Sequence, residues 1–185
     1  MKNNFLQKNE TFSIALIAIA VLSRFLPHPP NFTPVSAIAL LSGFSFSNKF
    51  KSFFVPLIAM FLSDIFLGLH STIWAVYLSL TIFVLFGFIL KNKFTFPRLF
   101  VFSSIASLIF YLVTNFAVWL TSGMYPLTLA GLIQCYTLGL PFYRTTTLEL
   151  FGYSFLGDLT YSFILFGAYK FAEKKFFQQQ FKIIK

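Results

Sequence analysis

Only five acidic residues occur in this 185-residue chain, and two of them, Asp64 and Asp158, stand inside or at the edge of long apolar runs. An ionisable side chain in such a run costs ~2.5–3.5 kcal/mol on membrane-insertion scales, so it is expected to face a cavity or a partner. Arg24 closes the first apolar run, while Arg144 and Glu149 fall in a long polar connection. Compensation of Arg24 by Asp64 or Asp158, and of Arg144 by Glu149, follows as an expectation. Such pairs either fix helix packing or meet a ligand; Arg144, set among aromatic and polar residues, points toward ligand contact.

His28, His70 and Cys135 offer borderline or soft metal ligands, but no CxxC or HExxH spacing links them. They read as interfacial histidines and a buried, inert thiol, with no metal site. No phosphate loop, dinucleotide glycine motif or nucleophile elbow is present, so no cofactor, no catalytic set and no means of hydrolysing ATP are expected. A third kind of group is more suggestive. Ser104, Ser107, Tyr111, Thr114, Asn115 and Thr121 recur at spacings of three and four, which places most of them on one helix face, and Asp158 shares a face with Tyr161 or Ser162. Serine and threonine alone would be packing glue; Tyr111 and Asn115 favour a cavity wall.

The elements that must carry these residues are apolar helices. Hydrophobic residues make up 57% of the chain and charged ones 10%, with a mean hydropathy of +0.79, a balance foreign to water-soluble domains. Apolar stretches cover about 11–26, 33–47, 52–69, 72–90, 99–121 and 153–172. Crossing ~30 Å of hydrocarbon takes ~20 helical residues, so the first two are short and must tilt, thin the bilayer or borrow flanking residues. The expected fold is an all-α, six-transmembrane-helix bundle forming a single domain over 1–185, with a polar cytoplasmic tail from about 173.

Charge gives the bundle a direction. With the N-terminus inside, 12 of the 14 lysines and arginines fall on one side, and Arg24 and Arg144 alone on the other. The positive-inside rule then predicts cytoplasmic termini and an even number of crossings. The net charge of +9 is accounted for by orientation and by anionic membrane lipids, with no nucleic-acid partner. The N-terminal run lacks a small-x-small cleavage site and is followed by Pro27-His28-Pro29-Pro30, so it reads as a retained helix. The single cysteine excludes an internal disulfide. Outside, the segment 27–34 reads as a stiff extended loop. The connection from about Ser122 to Gly152 is too long to be structureless, and a short helix or re-entrant turn over Leu127–Leu138 is expected there as a candidate lid. Trp74, Trp119, Tyr125, Tyr136, Tyr143 and Tyr153 read as an outer aromatic belt, some of them available to stack on a ligand.

Four segments carry a resemblance: RFLPHPPNFTPVSAIALLSG at 24–43, Ser63-Asp64, TNFAVWLTSGMYPLTLAGLIQCYTLGLPFYRTTT at 114–147 and GDLTYS at 157–162. They resemble a bacterial membrane-protein family that itself looks like the substrate-binding S components of energy-coupling-factor vitamin transporters. The resemblance implies six helices in the bacterial cytoplasmic membrane and a micronutrient held in an outward-facing cavity closed by outer loops. It also implies an energy-coupling membrane subunit with ATPases as partner. The AxxxA docking spacing of helix one is missing, since Ile19 follows Ala15 and Leu22 follows Ala18 at four residues. Cobalamin or another corrinoid is the expected ligand on this reading, because His28, His70 or Cys135 could approach its cobalt. The residues expected to bind substrate are Arg24, His28, Asp64, His70, Asn115, Tyr125, Tyr136, Arg144 and Asp158. The rival reading is a non-transporting scaffold subunit of a cell-envelope or shape-determining complex; a membrane-embedded enzyme would need groups that no spacing links.

Overall fold

The computed structural model describes residues 2–138 and 146–177. Among them are seven α-helices, α1 (Lys2–Ser23), α2 (Val35–Ser45), α3 (Lys49–Leu67), α4 (Ile73–Asn92), α5 (Phe96–Thr121), α6 (Leu129–Leu138) and α7 (Thr147–Ala172), followed by a π-helical turn at Glu173–Phe177. No strand occurs among the described residues. Several boundaries follow from capping chemistry. The Asn48 side chain accepts from the Phe50 and Lys51 amides at 2.8 and 3.3 Å, Thr95 from Arg98 at 3.3 Å, and Thr146 from Glu149 at 3.2 Å. Each satisfies donors that a helix start leaves unpaired.

Polarity runs inside-out. Large side chains such as Phe50, Phe61, Phe66, Leu78, Ile105 and Leu156 are exposed on the outside, while Ser36, Ser52, Asp64, Ser79, Ser107, Asp158 and Ser162 are buried. Water would penalise such a surface heavily, whereas hydrocarbon favours it and penalises polar groups that face outward. α3, α4 and α5 are long and apolar enough to cross a membrane. α7 is as long as α5, but Glu149, Asp158 and its Gly, Ser and Thr residues dilute its hydropathy.

α2 corrects the sequence reading. The stretch 33–47 was expected to be a short membrane helix; only eleven residues are helical, about 16 Å at 1.5 Å per residue, roughly half of a hydrocarbon core. Every residue of α2 is buried, with α1, α3, α4, α5 and α7 packed around it. Its closest neighbour is α4, where Gly43 meets Gly87: a Cβ on either would collide with the carbonyl of Val84 or Leu40 respectively. The proline-rich segment is likewise no simple outer loop. From Arg24 it runs down beside α7, where a Cβ at Gly157 would stand 3.0 Å from Phe32 Cα and Thr33 N. Burial deepens from the exposed Asn31 to the buried Pro34, and the Phe32 ring lies 5.8 Å from that of Tyr161. The stiff extended loop expected here is instead broken by turns, with Phe32 N bonded to the Pro29 carbonyl at 3.1 Å, Thr33 N to the Asn31 carbonyl at 2.9 Å and Asn31 left-handed at φ 63°. This turn-bearing segment leads into a half-helix within the bundle, a backbone arrangement compatible with membrane depth because protein surrounds it.

α6 falls where a short helix was expected in the long connection, and α7 begins six residues before the apolar stretch that predicted it.

Candidate functional site

A cavity of about 370 Å³ lies where the start of α4, the second half of α5 and the start of α7 come together. α5 supplies Phe110, Tyr111, Thr114, Asn115 and Val118, and α7 supplies Thr147, Leu150, Phe151 and Ser154. α4 gives Val76, and the connections give Asn31, His70, Ser71, Thr72, Ser122 and Met124. The i, i+4 spacing of Tyr111 with Asn115 and of Ser154 with Leu150 explains why one face of each helix can serve. The lining mixes aromatic faces with hydroxyl and amide groups. Apart from the imidazole of His70 it carries no ionisable acid or base other than the Tyr111 phenol among the described residues.

α6 packs along the last turns of α5 and against the start of α7 through directional bonds. Tyr111 donates its hydroxyl to the Tyr136 carbonyl at 2.5 Å, and Tyr136 donates to the Leu112 carbonyl at 2.8 Å. The Cys135 thiol donates to the Asn115 carbonyl at 3.2 Å, while Thr147 donates to the Cys135 carbonyl at 2.9 Å. Trp119 reaches the Pro126 carbonyl at 2.9 Å, and Gly131 lets the start of α6 pack on that same carbonyl, where a Cβ would not fit. Cys135 is 1% exposed, and burial pushes its thiol above the ordinary range. It is buried, as its sequence context suggested.

Arg24 and Asp64 form an ion pair at 2.7 Å. Arg24 also bonds Ser63, and Tyr77 donates to the second Asp64 oxygen at 2.8 Å. The knot joins the C-terminal end of α1 to the end of α3 and the start of α4, and none of its residues lines the cavity. Of the two aspartates offered to Arg24, geometry selects Asp64. Asp158 lies in the bundle interior, 4% exposed, and accepts hydrogen bonds from Ser36 on α2 and Ser107 on α5.

The structure thus gathers two of the expected binding residues, His70 and Asn115, at the cavity. His70 Nδ1 sits 3.1 Å from Thr72 Oγ1, and Asn115 donates to the Tyr111 carbonyl at 2.8 Å. Tyr136 stands behind the cavity as a strap, and Tyr125 is half-buried in the connection between α5 and α6. His28 lies in the proline-rich segment with Nδ1 3.0 Å from the Pro29 carbonyl. Arg144, and with it the expected pairing to Glu149, lies outside the described residues. No group of three His, Cys, Asp or Glu residues capable of holding a metal occurs among the described residues.

Sequence reasoning passed over several partners. Ser36 donates to Asp158 and Tyr77 to Asp64, and Ser63 accepts from Arg24, yet each looks like ordinary helix content. At the opposite end, Glu10 accepts from the Ser47 amide at 3.0 Å and from Lys51 at 3.0 Å. There Lys91 also donates to the Phe46 carbonyl at the end of α2, at 2.6 Å. The rarity of acidic residues was the signal that could have singled out Glu10.

A bundle with polar groups inside, apolar chains outside and a cavity of mixed lining at one end has the pattern of a helical membrane protein. The chain belongs to a family of unknown function, DUF6580, whose model matches residues 5–181. No curated protein and no solved structure matches it.

Proposed function

We propose that this chain is a substrate-binding component of the bacterial cytoplasmic membrane that captures a small, uncharged micronutrient of vitamin size from outside. The observation carrying the reading is the cavity between α4, α5 and α7: concave, about 370 Å³, at the lower end of the range of ~300–1,000 Å³ for small-molecule sites, with few polar groups among apolar walls. Neutral amides and hydroxyls suit a ligand with hydrogen-bonding edges and no full charge, and Tyr111 and Phe151, whose rings lie 4.9 Å apart, suit a flat ring. His70 and Asn115 are the binding residues on this reading, with Tyr136 and α6 as the lid. A corrinoid is far bulkier and requires α6 to move aside; of its three candidate cobalt ligands, only His70 lines the cavity.

In this arrangement α1, the proline-rich segment with α2, then α3, α4, α5 and α7 make six crossings, and α6 packs beside the outer parts of α5 and α7. Twelve of the fourteen basic residues then face the cytoplasm, with both termini inside. An energy-coupling subunit with ATPases remains the partner class implied by resemblance. The scaffold reading draws on one observation, the knot of Arg24, Asp64 and Tyr77, whose ion pair and hydrogen bond join three helices.

Mass spectrometry of small molecules retained after mild purification tests the reading, together with thermal shift across a vitamin panel that includes cobalamin. The expected result is one retained or stabilising compound whose effect is lost in Asn115→Leu. A clean protein with no shift across the panel would favour the scaffold.

A further inference from the structure

Beneath the cavity floor, the facing surfaces of α5 and α7 form a polar ladder. The helices run antiparallel, as successive pairs show: the rings of Phe96 and Phe163 lie 5.9 Å apart, Ser107 bonds Asp158, and the rings of Tyr111 and Phe151 lie 4.9 Å apart. Ser154, which lines the cavity, is one turn outward of Asp158. One turn inward of Asp158 comes Ser162, and one turn inward of Ser107 comes Ser103, so these two hydroxyls stand at the same level. Both are fully buried, and neither has a hydrogen-bond partner among the described residues. A buried hydroxyl without a partner calls for an unrecorded water or ion, and here two occur together next to a carboxyl group.

Charge balance points the same way. The other buried aspartate, Asp64, is matched by Arg24, and Glu10 by Lys51. Asp158 has no such ion pair among the described residues: two hydroxyls donate to it, and the N-terminal end of the half-helix α2 faces it through Ser36. Those groups offset part of a carboxylate charge, but none of them is a cation. An oxygen-only set of a carboxylate and hydroxyls is the donor type that hard cations take.

We propose that Asp158, with Ser103 and Ser162, binds a sodium ion between α5 and α7, directly below the ligand cavity. The ion neutralises the buried carboxylate and bonds the two hydroxyls, and the rung at Ser154 gives it a route from the cavity floor. Binding would be coupled to the cavity, since α5, α7 and the segment leading into α2 contribute to both places. The coupling rests on the uptake reading; the ion site does not.

The test uses the full chain in lipid nanodiscs with no vitamin added, comparing sodium, potassium and choline chlorides at equal ionic strength and pH. Sodium is expected to raise the unfolding temperature saturably, by roughly 5–10 °C at a hundredfold excess over its Kd, with potassium and choline alike in lacking the effect. Asp158→Asn should abolish the response. Should that variant not fold, the double variant Ser103→Ala/Ser162→Ala, which keeps the carboxylate, should weaken the sodium midpoint at least about tenfold. No sodium-specific shift in the wild type, or a shift that survives in the folded Asp158→Asn or unchanged in the serine pair, would overturn the site. Each of these leaves the cavity reading standing, because no vitamin is present.

Discussion

Arg24 and Asp64 pair directly, and the value of the pair lies in where it pins three helices. Their side chains are 13% and 7% exposed, and removing one partner leaves the other buried and uncompensated, at a cost of about 3 kcal/mol or more. Arg24→Met should therefore lower the unfolding temperature by several degrees, while Arg24→Met/Asp64→Leu should regain most of the loss because both charges are gone. Thermal unfolding of the three proteins in detergent decides it; a double variant no more stable than the single would assign Arg24 a different partner. At this scale the sequence was legible where residues are rare. Two arginines outside the basic loops and two aspartates in apolar runs announced a pairing, but spacing along a chain carries no information about which helices touch. The choice between Asp64 and Asp158 therefore needed the fold. The donors to Asp158 were illegible for a further reason: Ser36 and Ser107 are two of many serines, and nothing local separates a ligand-type hydroxyl from one bonded to its own helix, as Ser104 is to the Phe100 carbonyl.

Among the elements, α2 departs most from its sequence pattern, because an apolar run measures burial and cannot say whether lipid or protein supplies it. Its crossing with α4 depends on two glycines. Gly43→Leu or Gly87→Val should force the helices apart and destabilise by about 3 kcal/mol, whereas Gly167→Leu, at a position where a Cβ meets nothing within 4 Å, should be tolerated; circular dichroism melts compare them. α6 was legible as an element because a structureless connection of that length is improbable, and the lid role proposed for it can be tested with the native cysteine. Cys135 is the sole cysteine in the chain and its thiol is buried, so maleimide should label it only when α6 lifts. Tyr136→Phe deletes the bond to the Leu112 carbonyl, worth ~1 kcal/mol, and should speed labelling about fivefold. Unchanged labelling would mean that α6 is held elsewhere or does not lift.

For the molecule as a whole, the inside-out polarity was legible from composition, while the number of crossings was not, since α1, α2 and α7 fall short of α3, α4 and α5 in length or hydropathy. Two topologies therefore make opposite statements about two residues. If only α3, α4 and α5 cross, the α1–α2 hairpin rests on the side of Lys49 and α7 ends on the side opposite. His28 then sits with Lys49, and Lys174 sits across from it. If six segments cross, His28 faces outward with Ser71, and Lys174 faces inward with Lys49 and Lys93. Single cysteines at these positions, placed in a Cys135→Ser background and probed on intact cells with a membrane-impermeant maleimide, separate the two. The expected outcome is labelling of His28→Cys and Ser71→Cys, with Lys49→Cys, Lys93→Cys and Lys174→Cys protected until the cells are opened. Protection at position 28 with labelling at 174 would reduce the protein to three crossings. That outcome would be at odds with the packing of α1, since Glu10 pairs with Lys51 at the start of α3 while Arg24 pairs with Asp64 near its end, and Asn31 lines the cavity beside His70 and Ser71.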